Sequence, residues 1–220
     1  RPVDILHLEK QPEVALGLGY DEDDIFRRVE LFMGDYYSRA RTINQLSGIL
    51  EQRLVHATTG STSSISFKKV IQAYQSPPLQ KVDGFDLNGE ELSSPNLQIF
   101  DEDPERLIRL FRHSQRLSAK LAPDLRSLVR NRLALIDSAL INSPSANVAF
   151  RSILQEIGNV SPTLCEMHEL GVLGRVVPEF GRLNCKVQHD LYHRFTADIH
   201  VLHCITTLDK IFQGKKKGSK

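Results

Sequence analysis

A chain of 220 residues, 40% hydrophobic and 25% charged, can bury a real core as one large domain or two small ones, the mix of a soluble globular protein. Its net charge of +1 supplies no long-range field for nucleic acid or an anionic membrane surface. No run of about 18 apolar residues exists, which rules out a membrane-spanning helix, and the opening Arg1–Pro2–Val3–Asp4 has neither a signal-peptide profile nor an initiator Met, as suits a chain cut from something longer.

Along the first twenty residues Ile5, Leu6, Leu8, Val14, Ala15 and Leu16 are candidate docking residues in an irregular stretch. The acids of 21–24 then favour a helix start, because negative charge is stabilised at the positive end of the helix dipole. Ile25, Val29, Phe32, Met33, Tyr36, Tyr37, Ala40, Ile43, Leu46, Leu50 and Leu54 recur at three- and four-residue steps, predicting one long amphipathic helix with Arg27, Arg28, Arg39 and Arg41 off its stripe. The polar run 58–66 reads as a connection. From Val82 to Leu87 the period changes to alternation, and Asn88–Gly89 follows, which predicts a hairpin with a type I′ turn.

Asp103–Pro104 reads as a cap and first helical residue, ahead of the apolar face Leu107, Ile108, Leu110, Phe111 and Leu117. Pro123–Asp124 starts a helix expected to carry Leu125, Leu128, Val129, Leu133, Ile136 and Leu140. Ser143–Pro144 starts another with Val148, Phe150, Ile153, Leu154 and Ile157. A short helix from Ser161 to Leu170 should be capped by Gly171, and a closing helix should run over about 196–212. The expected fold is all-α, an irregular multi-helix bundle with one small β-hairpin near 82–92.

Chemistry-bearing motifs are few. Cys165, Cys185 and Cys204 are odd in number, form no CxxC pair and read as reduced thiols, at least one of them buried. His189–Asp190–Leu191–Tyr192–His193 imitates a helical zinc-hydrolase signature, but no third ligand is placed for it, and two packing histidines are the simpler reading. A Gly-Ser turn followed by an Asp-x-Asp pair, which would hold two metals around a triphosphate, is absent: Gly60–Ser61 has no carboxylate pair after it. No P-loop or dinucleotide fingerprint is present. Neither catalytic nor cofactor-binding residues are therefore assigned.

One segment says more. His168–Glu169–Leu170–Gly171–Val172–Leu173–Gly174–Arg175, Pro178–Glu179–Phe180–Gly181–Arg182, Gln188–His189–Asp190–Leu191–Tyr192–His193 and Asp198–Ile199–His200 closely resemble the part of bacterial PII-protein uridylyltransferase/uridylyl-removing enzymes that joins their nucleotidyltransferase half to their HD-type hydrolase domain. Upstream, Leu8–Glu9–Lys10–Gln11–Pro12–Glu13–Val14–Ala15, Phe32–Met33–Gly34–Asp35–Tyr36–Tyr37 and Phe85–Asp86–Leu87 look like the helical region that follows the transfer core.

The resemblance implies a division into a tail (1–20), a helical uridylyltransferase-associated domain (21–160), a helical connection with the start of the HD domain (161–212) and a flexible basic tail (213–220). It implies that His200 is the early histidine ligand of the hydrolase metal site, and that His189–Asp190 is not the metal-binding doublet, which would lie beyond Lys220. The family phrase has an acid where this chain has Ile199, which alters the surroundings of His200. Tyr36 and Tyr37 read as packing residues rather than a base-stacking platform.

A cytoplasmic parent is implied that transfers UMP from UTP to a tyrosine of the PII signal protein and removes it by hydrolysis, with glutamine as effector and Mg2+ or another divalent metal as cofactor. This chain alone would be inactive, with neither nucleic acid nor membrane as partner. The alternative is a stand-alone helical protein-binding module without chemistry, and a third reading, a small metallohydrolase on His189 and His193, has the least behind it.

Overall fold

A computed structural model describes residues 6–60, 80–187 and 195–215 of the chain. After a single 3-10 turn, α1 (Gln11–Gly17) lies against the start of α2 (Ile25–Gly60). Asp24 supplies the expected helix start, its Oδ1 accepting the Phe26 N–H at 2.9 Å. Val29, Phe32 and Met33 bury themselves with Ala15, flanked by Val14, Tyr20 and Val187. The helix takes in the first three residues of the polar connection expected at 58–66, and the rest of that connection lies outside the described residues. Past Tyr36 the apolar stripe changes character: Ile43, Leu46, Leu50 and Leu54 are all more than half exposed.

The hairpin is larger than its sequence signal. Strands β1 (Gln80–Val82), β2 (Phe85–Asn88) and β3 (Glu91–Ser93) form an antiparallel meander, and β4 (Lys120–Leu121) adds a parallel edge to β3. The turn with two positive φ angles, as type I′ demands, is Asp83–Gly84 (53° and 88°), not Asn88–Gly89. Asn88 pairs with Glu91 instead, so Gly89 and Glu90 make the second loop, with positive φ at Gly89 alone.

Asp83 can hold its left-handed conformation because two guanidinium groups and an imidazole grip its side chain. Arg109 Nε donates to Oδ2 at 2.7 Å and Arg109 Nη2 to Oδ1 at 3.1 Å, while Arg106 Nε lies 3.4 Å and His113 Nε2 3.3 Å away. Burial pushes the Asp83 carboxyl pKa up, but Arg109, His113 and Arg106 outweigh it and hold the value below the usual carboxylate range. A pKa lowered in the folded state stabilises above the unfolded value of about 4 and loses that contribution as pH falls through the folded value. Urea unfolding should therefore show a loss of stability between pH 5 and the acid range that shrinks in Asp83→Asn. An acid limb of equal depth in the variant would remove Asp83 from the account.

Asp103 caps as expected, its side chain accepting the Glu105 N–H at 3.1 Å, but regular α-geometry begins only after a first turn, in α4 (Arg106–Leu117). The short α3 (Ile99–Glu102) precedes it. Leu107, Ile108, Leu110 and Phe111 are buried at the centre of the main core with Phe85, Leu92, Phe100, Leu125, Val129, Ile153 and Met167.

The single helix expected after Pro123 is three pieces: α5 (Pro123–Asn131), a 3-10 turn at Leu133–Leu135, and α6 (Ser138–Ile141), which Asp137 caps by accepting the Leu140 N–H. Each break turns the chain so that Leu128, Ile136 and Leu140 all reach the core, which one straight helix cannot arrange. In α7 (Pro144–Leu154) Ser143 caps as expected, yet the buried face is Ala146, Ala149 and Ile153. Val148, Leu154 and Ile157, expected inward, are exposed, because small residues let α7 approach α4 closely.

α8 (Ser161–Glu169) ends as its glycine promised. Gly171 sits at φ 81°, its N–H donates to the His168 carbonyl at 3.0 Å, and Val172 N–H donates to the Met167 carbonyl at 2.8 Å, a complete Schellman cap. Two single-turn helices follow, α9 (Leu173–Val176) and α10 (Pro178–Gly181), then α11 (Ala197–Phe212) lies back along α8. Among the described residues the chain is mostly helical, as expected, with one small four-stranded sheet in place of a lone hairpin. None of the cysteines is fully buried: Cys165 and Cys185 are half-buried, Cys204 is exposed, and all three are free, with burial pushing the Cys165 thiol up.

Candidate functional site

A buried cluster of polar groups lies where α2, α8 and the start of α11 meet. Asp198, in the first turn of α11, is 1% exposed, and His168, in the last turn of α8, is 4% exposed. Their Oδ2 and Nε2 atoms are 3.0 Å apart, but off the line of a proper hydrogen bond, so the contact is an ion pair when the imidazole is protonated. Arg41 reaches in from α2, its Nη1 3.4 Å from Asp198 Oδ2. Burial by itself would raise the Asp198 pKa. His168, the Thr196 hydroxyl and the Ile199 amide pull it the other way, to about 2. Asp198 Oδ1 is nonetheless buried without a hydrogen bond of its own.

The same α2 residues also close the end of α8. Arg41 Nη2 donates to the His168 carbonyl at 3.0 Å and Gln45 Nε2 to the Glu169 carbonyl at 3.0 Å. These are two of the carbonyls a helix leaves unsatisfied at its C-terminus, and a cation there also suits the dipole. At the opposite end of α8, Asp209 of α11 accepts the Val160 N–H at 2.9 Å and the Ser161 N–H at 2.7 Å, and the Ser161 and Thr206 hydroxyls pair. α8 is thus held at both ends by polar groups, from α2 and α11 at its C-terminal end and from α11 at its N-terminal end.

Beside the His168–Asp198 pair a cavity of about 590 Å³ opens between α2, α5, α8 and α11. Tyr37, Arg41, Asn44 and Gln45 form one wall, and Arg126 and Arg130 of α5 another. Arg126 bonds Glu166 and Glu169, the latter at 3.0 Å. Burial raises the Glu166 pKa, against the pull of Arg126.

His200, the sequence candidate for metal ligation, lies on the exposed side of α11, its Nε2 3.9 Å from Cys204 Sγ one turn on. Asp198 is two residues earlier and faces the opposite way, into the pair with His168. Among the described residues no three or more His, Cys, Asp or Glu side chains converge as metal ligands. His189 and His193 lie outside the described residues. Tyr36 and Tyr37 pack edge-on against each other, centroids 5.6 Å apart, but 52% and 39% of their surfaces remain exposed, so neither is a core residue.

His168, Arg41, Gln45 and Asp209 had no place in the sequence reading of a site. The usable signal was chemical: a carboxylate that the helix period turns inward at either end of α11 requires a partner.

A family model described as the uridylyltransferase GlnD third domain matches residues 85–176, from β2 to the end of α9. Over 97–98% of its length the chain is also 31% identical to the bifunctional uridylyltransferase/uridylyl-removing enzymes of Rhodopseudomonas palustris, Bradyrhizobium sp. and Caulobacter vibrioides. The chain belongs to the family of the bifunctional uridylyltransferase/uridylyl-removing enzymes. It spans about 23% of the length of these uridylyltransferase relatives. No solved structure matches it. No helix among the described residues is long and apolar enough to cross a membrane.

Proposed function

We propose that this chain is the helical body standing between the UMP-transfer and UMP-removal halves of a uridylyltransferase/uridylyl-removing enzyme, and that His200 contributes one ligand to the metal site of the removal half. The observation that carries the reading is the match to such enzymes along nearly the whole chain, α11 included. In this reading the parent takes UTP, transfers UMP to a tyrosine of the PII signal protein, removes it by hydrolysis, and answers to glutamine in the cytoplasm. The divalent metal, when bound, would activate water for that hydrolysis.

This chain's own part is positional. Asp198 and Asp209 tie α11 to α8, so that His200 leaves the surface at a fixed point. The division into a tail at 1–20, a helical domain at 21–160, a connection at 161–212 and a basic tail at 213–220 belongs to the same proposal. A stand-alone binding module is disfavoured, because the relatives that cover the chain are bifunctional enzymes.

The test is His200→Ala in the full-length parent, with both activities and the bound metal measured. Loss of UMP removal together with a drop in metal content, while UMP transfer stays within about twofold, supports the reading. Unchanged removal and metal content would sink the role of His200, and a parent that carries out neither reaction would sink the function itself.

A further inference from the structure

The cavity beside the His168–Asp198 pair has one group the rest of the fold does not account for. Arg130, on the α5 wall, makes neither a hydrogen bond nor an ion pair with any described residue, and its Nε is shut off from water. Its neighbours are otherwise engaged. Arg126 is held by Glu166 and Glu169, and Arg41 by Asp198 and the His168 carbonyl. Glu51 lies on the exposed rim of the same cavity and forms no ion pair with Arg130. Burial first, and the like charge of Arg126 second, pull the Arg130 pKa below its ordinary value, and the attraction of Glu169, which forms no ion pair with Arg130 and is itself bonded to Arg126, does not offset them. A half-buried guanidinium with a like charge beside it is an unfavourable arrangement unless an anion completes it.

We propose that this cavity is a binding site for a small oxyanion ligand, a phosphate ester or a carboxylate, with the Arg130 guanidinium as its anchor. A planar guanidinium fork matches both anions in the bidentate manner, so geometry as well as charge favours Arg130 over a solvated lysine for this role. The volume of about 590 Å³ falls within the range of small-molecule sites and exceeds a bare anion's needs, leaving room for an organic body along the α2 wall. There Asn44 offers an amide and Tyr37 a half-exposed ring. The site is distinct from His200, which faces away from the cavity lining, so this inference stands or falls independently of the metal role.

The test uses the full 220-residue chain and inorganic phosphate as probe, at constant ionic strength, with acetate in a parallel arm. Thermal unfolding and the Arg Nε–Hε region of the 1H–15N spectrum are followed together. Expected are a saturable rise in Tm and movement of the Arg130 signal, with Arg130→Gln weakening phosphate binding about tenfold or more. Arg130→Lys, which keeps the charge and loses the fork, should fall between the two and guards against a misfolded variant. A response to phosphate alone identifies a phosphate ester as the ligand class, and a response to acetate as well identifies a carboxylate-tolerant site. Silence in both arms, or an equal response in Arg130→Gln, overturns the proposal.

Discussion

Asp198→Ala is expected to lower the unfolding free energy by about 3–5 kcal/mol, the usual result of removing one partner from a buried ion pair. The estimate rests on what the truncation leaves behind. His168 remains 4% exposed with its Nε2 facing an emptied space, and Arg41 loses the carboxylate 3.4 Å from its Nη1. His168 cannot reach water without moving α8, whereas Arg41 is 27% exposed at the cavity, so the penalty is dominated by the stranded imidazole rather than by lost attraction. Asp198→Asn, which keeps the shape and part of the hydrogen bonding, should cost less. A double-mutant cycle with His168→Ala separates the pair from its surroundings, and a positive coupling of about 1 kcal/mol or more is expected. Denaturant midpoints that move by less than about 1 kcal/mol for Asp198→Ala would show that the carboxylate does not organise this junction.

Gly181→Ala is the second large effect, about 2–3 kcal/mol of destabilisation, by overpacking rather than by loss of a contact. A Cβ placed on Gly181 would run into the Gly174 carbonyl, and a Cβ on Gly174 would lie 3.0 Å from Gly181 Cα. Both obstacles are backbone, so no side-chain rotation relieves them. Because α9 and α10 are single turns lying against each other, the only relief is to separate them. That would pull on Leu173, which is buried in the main core. Gly48→Ala serves as control, since nothing lies within 4 Å of a Cβ there and alanine is the better helix former. Equal melting temperatures for Gly181→Ala and the unmodified chain would show that the two turns have slack.

Some helical elements were legible because they rest on local information, whereas α1, in a stretch read as irregular, and the breaks between α5 and α6 were not. Periodicity gave α2 and α4, and Ser143, Pro144 and Gly171 marked ends that the structure places within a residue or so. The strand β4 was not legible: two residues cannot show alternation, and Lys120 and Leu121 are strand only because β3 lies beside them. Similarly, Asn88–Gly89 and Asp83–Gly84 are equally good turn dipeptides. The side chains of Arg106, Arg109 and His113, which support left-handed geometry at Asp83, come from more than twenty residues away. The candidate site follows the same rule. Arg41 and Asp198 are 157 residues apart in sequence, and amphipathic spacing tells which face of a helix turns inward but never which partner it meets. The family phrase fared better. It brought Asp198, Gly174 and Gly181 to notice as wording, and the structure supplies the physical reason each is needed.

Anchoring α11 by carboxylates near both ends has a mechanical consequence. Apolar helix faces can slide past one another by a turn, about 5.4 Å, and find nearly equivalent packing. α11 cannot, because only Leu202 of its apolar residues is fully buried, while Asp198 and Asp209 each have one set of partners. A one-turn ratchet would leave two anions buried against nothing. The axial position of α11 on α8 is therefore a two-point vernier: any rearrangement must either carry α8 along with it or detach the helix outright, with no intermediate stop.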